Sequence, residues 1–210
     1  MKIAYVLLAA GNASRFGSCK QLAEVHDKAM ILHSLETLTS LATLAEQTQN
    51  QPTQTKQTQI KPFVVLGAYY EQIKPIIMGK AEVIYNPDWS LGLGASIAKA
   101  SEVIQGLGDY DGVLFTLSDQ VKVNLEDLES LIKGYDGQTI RTAYYANKPG
   151  VPAIFPASQF TELKGLKGKQ GAKPILMAAK DNLSVQVMDN ALFDIDYPED
   201  LEQYLSAIKA

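Results

Sequence analysis

Four residues near the start of the chain have the types and spacing of an anion grip. Gly11, Arg15, Gly17 and Lys20 lie in the stretch IAYVLLAAGNASRFGSCKQL, residues 3–22. Gly, Ala and Ser side chains are too short to keep a ligand away from the backbone, so main-chain N–H groups can point at phosphate oxygens. Arg15 can hold a phosphate with a planar fork, and Lys20 adds a compact charge. The spacing is neither that of a Walker A loop nor that of the dinucleotide fingerprint. Gly17 follows Gly11 by six positions, and Asn12 and Ala13 fill the early glycine slots.

Further along, Asp119 follows the apolar run Val113–Leu117. That run predicts a buried central strand, and in open α/β sheets ligands bind at the carboxyl ends of such strands. A carboxylate there, facing a triphosphate, suits Mg2+, which takes one or two protein carboxylates and completes its octahedron with phosphate oxygens and water. Gly92 and Gly94 precede a predicted helix whose first turn holds Ser96, a second place for an anion or a base edge. Asp194 and Asp196 are two apart, which on a strand puts both on one side.

These segments resemble the nucleotidyltransferases of Rossmann-like fold, and within them the molybdopterin cytidylyltransferase and guanylyltransferase branch. Leu8-Ala9-Ala10-Gly11 through Lys20 is similar to L-A-A-G-x-S-x-R-x-G-x-x-K. Asn86, Trp89, Gly92 and Ser96 match N-x-x-W-x-x-G-M-x-x-S, and Leu117-Ser118-Asp119-Gln120 matches L-x-D-Q-P. Gly150, Pro152 and Phe155 match the acceptor-side G-x-P-x-x-F. Asp194 to Asp200 is similar to D-I-D-T-P-E-D. The resemblance implies that Leu8, Ala9, Ala10, Gly11, Arg15, Lys20, Asn86, Gly92 and Ser96 contact the nucleotide. It also implies that Arg15, Lys20 and Asp119 are catalytic, and that Asp119 and Asp196 hold Mg2+, with Asp194 in reserve. Ala13 stands for the usual Ser, Val121 for Pro, Tyr197 for Thr, and Lys169 and Lys173 for Asp and Arg in G-D-x-G-A-R. The two lysines make that last segment more basic, which suits an anionic acceptor.

The elements that must position these groups alternate along the chain. Residues 3–10 are apolar at nearly every position, as in a strand covered on both faces. Residues 28–47 predict a helix with Ile31, Leu35, Leu38 and Leu41 on one face. Residues 47–61 are rich in Gln and Thr and predict a flexible surface insertion. Strands are expected at 62–67, 81–85, 113–117 and 138–146, with a short strand before Phe155. Helices are expected at 70–78, interrupted or ended near Pro75, at 124–134 behind an Asn124 cap, and from Pro198 onward. This rhythm is that of a doubly wound parallel sheet. With the resemblance it implies one NTP-transferase domain over residues 1–210, a three-layer α/β/α fold with a mostly parallel sheet and a small mixed-strand acceptor region.

Composition sets outer bounds. The 210 residues are 46% apolar and 20% charged, ordinary for a soluble domain. A net charge of −4 and a pI near 5.2 argue against a nucleic-acid partner. The apolar N-terminal run is explained by the first strand rather than by a signal peptide, and no stretch is long enough to span a membrane. One cysteine, Cys19, fits a cytoplasmic protein and is expected to be a bystander.

The resemblance thus implies an enzyme that takes an NTP, CTP by the Leu8-Ala9-Ala10-Gly11 pattern, and a phosphorylated small-molecule acceptor of molybdopterin type. A molybdoenzyme would be the client. Two other readings stay open. One is a cytidylyltransferase of a sugar or polyol phosphate, which Lys20-Gln21 resembles. The other is an accessory protein that binds a molybdenum cofactor without catalysis.

Overall fold

The computed structural model describes residues 1–49 and 61–209. The strands are β1 (Ile3–Ala9), β2 (Glu24–Val25), β3 (Lys28–Ala29), β4 (Phe63–Leu66), β5 (Glu82–Tyr85), β6 (Gly112–Leu117), β7 (Arg141–Tyr145), β8 (Lys148–Pro156) and β9 (Ser184–Val187). The helices are α1 (Met30–Gln49), α2 (Tyr70–Ile77), α3 (Leu93–Leu107), α4 (Leu125–Lys133), α5 (Phe160–Lys164), α6 (Lys173–Ala178) and α7 (Pro198–Lys209).

Seven strands form one sheet in the order β5-β4-β1-β6-β8-β7-β9. β1 is buried at every position because helices cover both its faces. Ile3, Tyr5 and Leu7 pack with Ile31, Leu35 and Leu38 of α1 and with residues of α2 and α4. Ala4, Val6 and Leu8 point the other way, onto Ile97, Ala100 and Ile104 of α3 and onto α5 and α6. The result is the three-layer arrangement expected. β1, β4, β5 and β6 run parallel, and β8 pairs antiparallel with both β6 and β7. The antiparallel pairing gives the sheet its mixed end.

Several local expectations are corrected. The first helix begins at Met30, not at residue 28, because 24–29 folds into a β2–β3 hairpin. His26 and Asp27 have positive φ there, as a tight two-residue turn requires, and Val25 is fully buried. α1 continues through residues 47–49, and residues 50–60 of the predicted insertion lie outside the described residues. α2 runs through Pro75 to Ile77, holding Ile73 and Ile77 in the core. The predicted strand 138–146 narrows to β7, since Asp136 takes the N–H groups of Gln138 and Thr139. β8 has nine residues, longer than the short strand predicted, because it pairs on both sides. Asp194 and Asp196 lie on no strand, but Ile195 between them is fully buried.

Candidate active site

β1 and β6 are neighbours, with Leu8 opposite Leu117, and the chain order reverses between them. Both carboxyl ends open into a cavity of about 570 Å³. This is the crevice where doubly wound sheets take ligands. Leu8, Ala9, Ala10, Gly11, Arg15, Lys20, Gly92, Ser96, Asp119 and Asp196 all line it, so the structure brings ten of the eleven predicted residues to one cavity. Asn86 is the exception. It is buried behind the wall, donating its side-chain N–H to Ser96 Oγ at 3.1 Å and accepting from the Asp88 N–H at 3.0 Å. A separate cavity of about 510 Å³, between α1 and the turn at Gly79–Lys80, holds none of these groups.

The loop after β1 is braced from behind. Gln21, buried, donates its side-chain N–H to the carbonyls of Ala9 at 3.4 Å and Gly11 at 3.3 Å. Tyr69 donates its hydroxyl to the Asn12 carbonyl at 2.9 Å. The Ala13 carbonyl accepts from the N–H groups of Phe16 and Gly17. Among the described residues, nothing accepts from the backbone N–H of Gly11, Asn12, Ala13, Ser14 or Arg15. The loop therefore presents free donors to an anion. Cys19, beside it, is partly buried, and burial pushes its thiol up, away from the reactive thiolate.

Lys20 and the two acids form the centre. The Lys20 ammonium donates to Asp119 Oδ2 at 2.7 Å, to Asp196 Oδ1 at 3.1 Å and to the Ile195 carbonyl at 2.8 Å. Burial works against its charge, but Asp119 and Asp196 outweigh it and raise its pKa. The backbone aligns the acids. The Ile195 N–H donates to the Asp119 carbonyl, and Asp200 Oδ2 accepts from the N–H groups of Asp196 and Tyr197. Arg15 donates to Asp196 Oδ2 at 2.8 Å. Asp194 is exposed, yet crowding by the chain, then the Asp119 and Asp196 charges, push its carboxyl up to about 7; Lys20 pulls the other way.

Mg2+ is implied by the resemblance, and the donors fit it. Asp119 Oδ1 is buried and has no hydrogen-bond partner, so one hard oxygen is left for a cation or its water. Among the described residues no group of three or more His, Cys, Asp or Glu is assembled as a metal site. Two carboxylates are the number Mg2+ uses when phosphates supply the rest.

Around the cavity, close packing gives some residues roles that the sequence did not assign them. A Cβ on Gly67 would lie 2.4 Å from Trp89 Cβ and 2.6 Å from the Ala10 carbonyl, so only glycine lets Trp89 close against the loop. A glycine at the end of a predicted strand was the available signal. Gly92 and Gly94 do not open onto the cavity alone. A Cβ on Gly92 would lie 2.7 Å from the Gly168 carbonyl, and the Gly94 N–H donates to that same carbonyl at 2.9 Å. They admit the 165–171 segment, and Lys169 joins the cavity wall. Gln21 and Tyr69 were also missed as braces, because their carbonyl partners are visible only in three dimensions.

Known proteins agree with this architecture. The MobA-like NTP transferase domain model matches residues 5–183. The purine catabolism protein PucB of Bacillus subtilis (strain 168) is 25% identical over 124 residues, 58% of this chain. The match covers 60% of that curated relative, less than two thirds of its length. The Mycobacterium sp. strain JC1 homologue of Mycobacterium tuberculosis Rv0371c superposes with a TM-score of 0.76 at 23% identity, covering 99% of this chain and 98% of that one. Rv0371c of Mycobacterium tuberculosis H37Rv, in complex with manganese, superposes at 0.73 with 19% identity over 99% and 100% of the two chains. At those identities the likeness establishes the shared fold. With the family pattern running over most of its length, and the loop after β1 and the acids meeting where that fold binds ligands, the chain belongs to the MobA-like NTP transferase domain family, a family of nucleotidyltransferases.

Proposed function

We propose that the protein moves CMP from CTP onto the terminal phosphate of a molybdopterin-type cofactor. One observation carries the reading: Arg15, Lys20, Asp119 and Asp196 converge beside a loop of free N–H donors, in one cavity. An oxygen of the acceptor phosphate attacks the α-phosphorus of CTP. The bond from that phosphorus to the bridging oxygen breaks, and pyrophosphate leaves with the electron pair. The chain's work is alignment and charge neutralisation. Arg15, Lys20 and the Gly11–Arg15 amides hold the β- and γ-phosphates and the leaving pyrophosphate. The acceptor phosphate is already an anion near neutral pH, so no side-chain base is needed. Mg2+, held by Asp119 and Asp196, supplies positive charge at the phosphates. The Leu8-Ala9-Ala10-Gly11 pattern supports CTP as the donor. A single free cysteine suits the reducing cytoplasm, where a molybdoenzyme client would receive the product.

The test incubates the protein with Mg2+, each NTP in turn, and either molybdopterin or methylerythritol phosphate, and measures pyrophosphate. Release with CTP and molybdopterin is the expected result. Release with methylerythritol phosphate instead would move the protein to the polyol-phosphate reading. Tight molybdopterin binding without release from any NTP would make it an accessory protein.

A further inference from the structure

Three cations line the active-site cavity: Arg15, Lys20 and Lys169. The first two are committed, Arg15 to Asp196 and Lys20 to Asp119 and Asp196. Two cations and two carboxylates cancel. Lys169 makes no hydrogen bond or ion pair among the described residues, and it leaves that wall with one uncompensated positive charge. The ammonium groups of its neighbours Lys167 and Lys173 make no ion pair among the described residues and deepen the positive field.

The position of Lys169 is built rather than incidental. The segment before it is pinned to the start of α3 by the Gly94 N–H, which donates to the Gly168 carbonyl at 2.9 Å. A Cβ on Gly92 would lie 2.9 Å from Lys169 Cα, so the backbone at 169 comes against that turn only because residue 92 has no side chain. Gly168 and Gly171 take positive φ and fold the segment back on itself, and a Cβ on Gly171 would meet Leu93 at 2.7 Å. Four glycines thus seat one lysine on a cavity wall.

Lys169 is exposed, so its ammonium is open to a ligand that enters the cavity. An uncommitted ammonium on a cavity also lined by a loop of free N–H donors is set to take an anionic group of the ligand. We propose that Lys169 is a phosphate-binding residue of this site, acting from the segment packed on Gly92 and Gly94. The assignment rests on the nucleotidyl-transfer reading. Two reactants of that reaction carry phosphate, the donor's triphosphate and the acceptor's phosphomonoester, and the same ammonium chemistry serves either.

Trp89, the chain's one tryptophan, lines the same cavity, so its fluorescence reports occupancy. Wild type, Lys169→Ala, Lys169→Glu and Lys169→Arg are titrated with CTP, pyrophosphate and cytidine, each with Mg2+. Phenyl phosphate is then titrated onto protein saturated with α,β-methylene-CTP. If Lys169 serves the donor, Lys169→Ala weakens CTP and pyrophosphate about 10-fold. Lys169→Glu weakens them further, Lys169→Arg keeps most of the affinity, and cytidine is unchanged. If it serves the acceptor, CTP and pyrophosphate bind as in wild type and phenyl phosphate weakens. Variants that bind every phosphate probe like wild type overturn the assignment, as does an equal loss for cytidine. Wild type that binds no phosphate probe ends both this assignment and the nucleotidyl-transfer reading. Unchanged variants of a wild type that binds end only the first.

Discussion

The Lys20 ammonium lies 2.7 Å from Asp119 Oδ2 and 3.1 Å from Asp196 Oδ1, though these acids are 99 and 176 residues from it in sequence. One buried cation therefore joins the phosphate loop, the end of β6 and the approach to α7. The same ammonium neutralises both acids, and on the proposed reading it also serves the phosphates. Structure and chemistry share a single atom here.

Lys20→Met tests that sharing. It leaves Asp119 without its cation, while Asp196 keeps only Arg15. The lysine is 8% exposed, but the Asp196 side chain is 42% exposed, so water screens part of the cost. A loss of about 1–3 kcal/mol is expected in urea unfolding at neutral pH. The pKa of Lys20 is raised in the fold, so its contribution is complete below the ordinary value of 10.5 and is lost only as pH rises beyond it. A stability gap that narrows between pH 7 and 9 would contradict the assignment.

Asp119→Ala is expected to stay folded, because the contact that docks Ile195 is made by the Asp119 backbone carbonyl and survives the substitution. Turnover should fall at least about 100-fold. Mn2+ binding in the presence of CTP, followed by electron paramagnetic resonance, should weaken in parallel. Near-normal values for both would sink the metal assignment.

Gly92→Ala and Gly11→Ala should separate packing from binding. Gly92 has φ +105 and no room for a Cβ beside the Gly168 carbonyl. Its substitution should cost about 2 kcal/mol, a fall in Tm of roughly 4–8 °C. A Cβ on Gly11 meets nothing within 4 Å, so Gly11→Ala should melt like wild type. It should nevertheless bind CTP more weakly, since the methyl group stands where phosphate approaches the backbone. Equal melting temperatures for the two variants would refute the packing role of Gly92.

Asp136 sets an acid limit at one turn. Hydrogen bonds from the N–H groups of Thr139 and Gln138, and from the Thr139 hydroxyl, hold its carboxyl down to about 2, from an ordinary 3.8. The folded pKa is depressed, so the stabilisation is present above pH 3.8 and lost as pH falls through 2. Asp136→Ala should melt below wild type at pH 6, with the gap closing between pH 3.8 and 2. A gap independent of pH would show that the turn does not depend on this charge.

Much of the fold was legible because burial writes a periodic pattern. The apolar runs of β1 and β6, the latter interrupted only by Thr116, marked strands covered on both faces, and the leucines of α1 marked its inner side. Asn124 was legible as a cap because capping is local, and it does accept from the Asp127 N–H. The hairpin at 24–29 was not, since His26 and Asp27 are not the residues that usually announce a tight turn. In the site, residue types and spacing marked the Gly11–Lys20 loop and Asp119 as candidates, and the family resemblance chose Asp196 over Asp194. Their meeting on one lysine depends on strand order and on the Ile195–Asp119 backbone bond, which are long-range. The same holds for Asn86, which matched the motif but lies behind the wall, and for Lys169, which departed from it and lies on the wall. A sequence records which side chains can do chemistry. Which of them share a cavity is settled by contacts between segments far apart in the chain, and no local pattern carries that information.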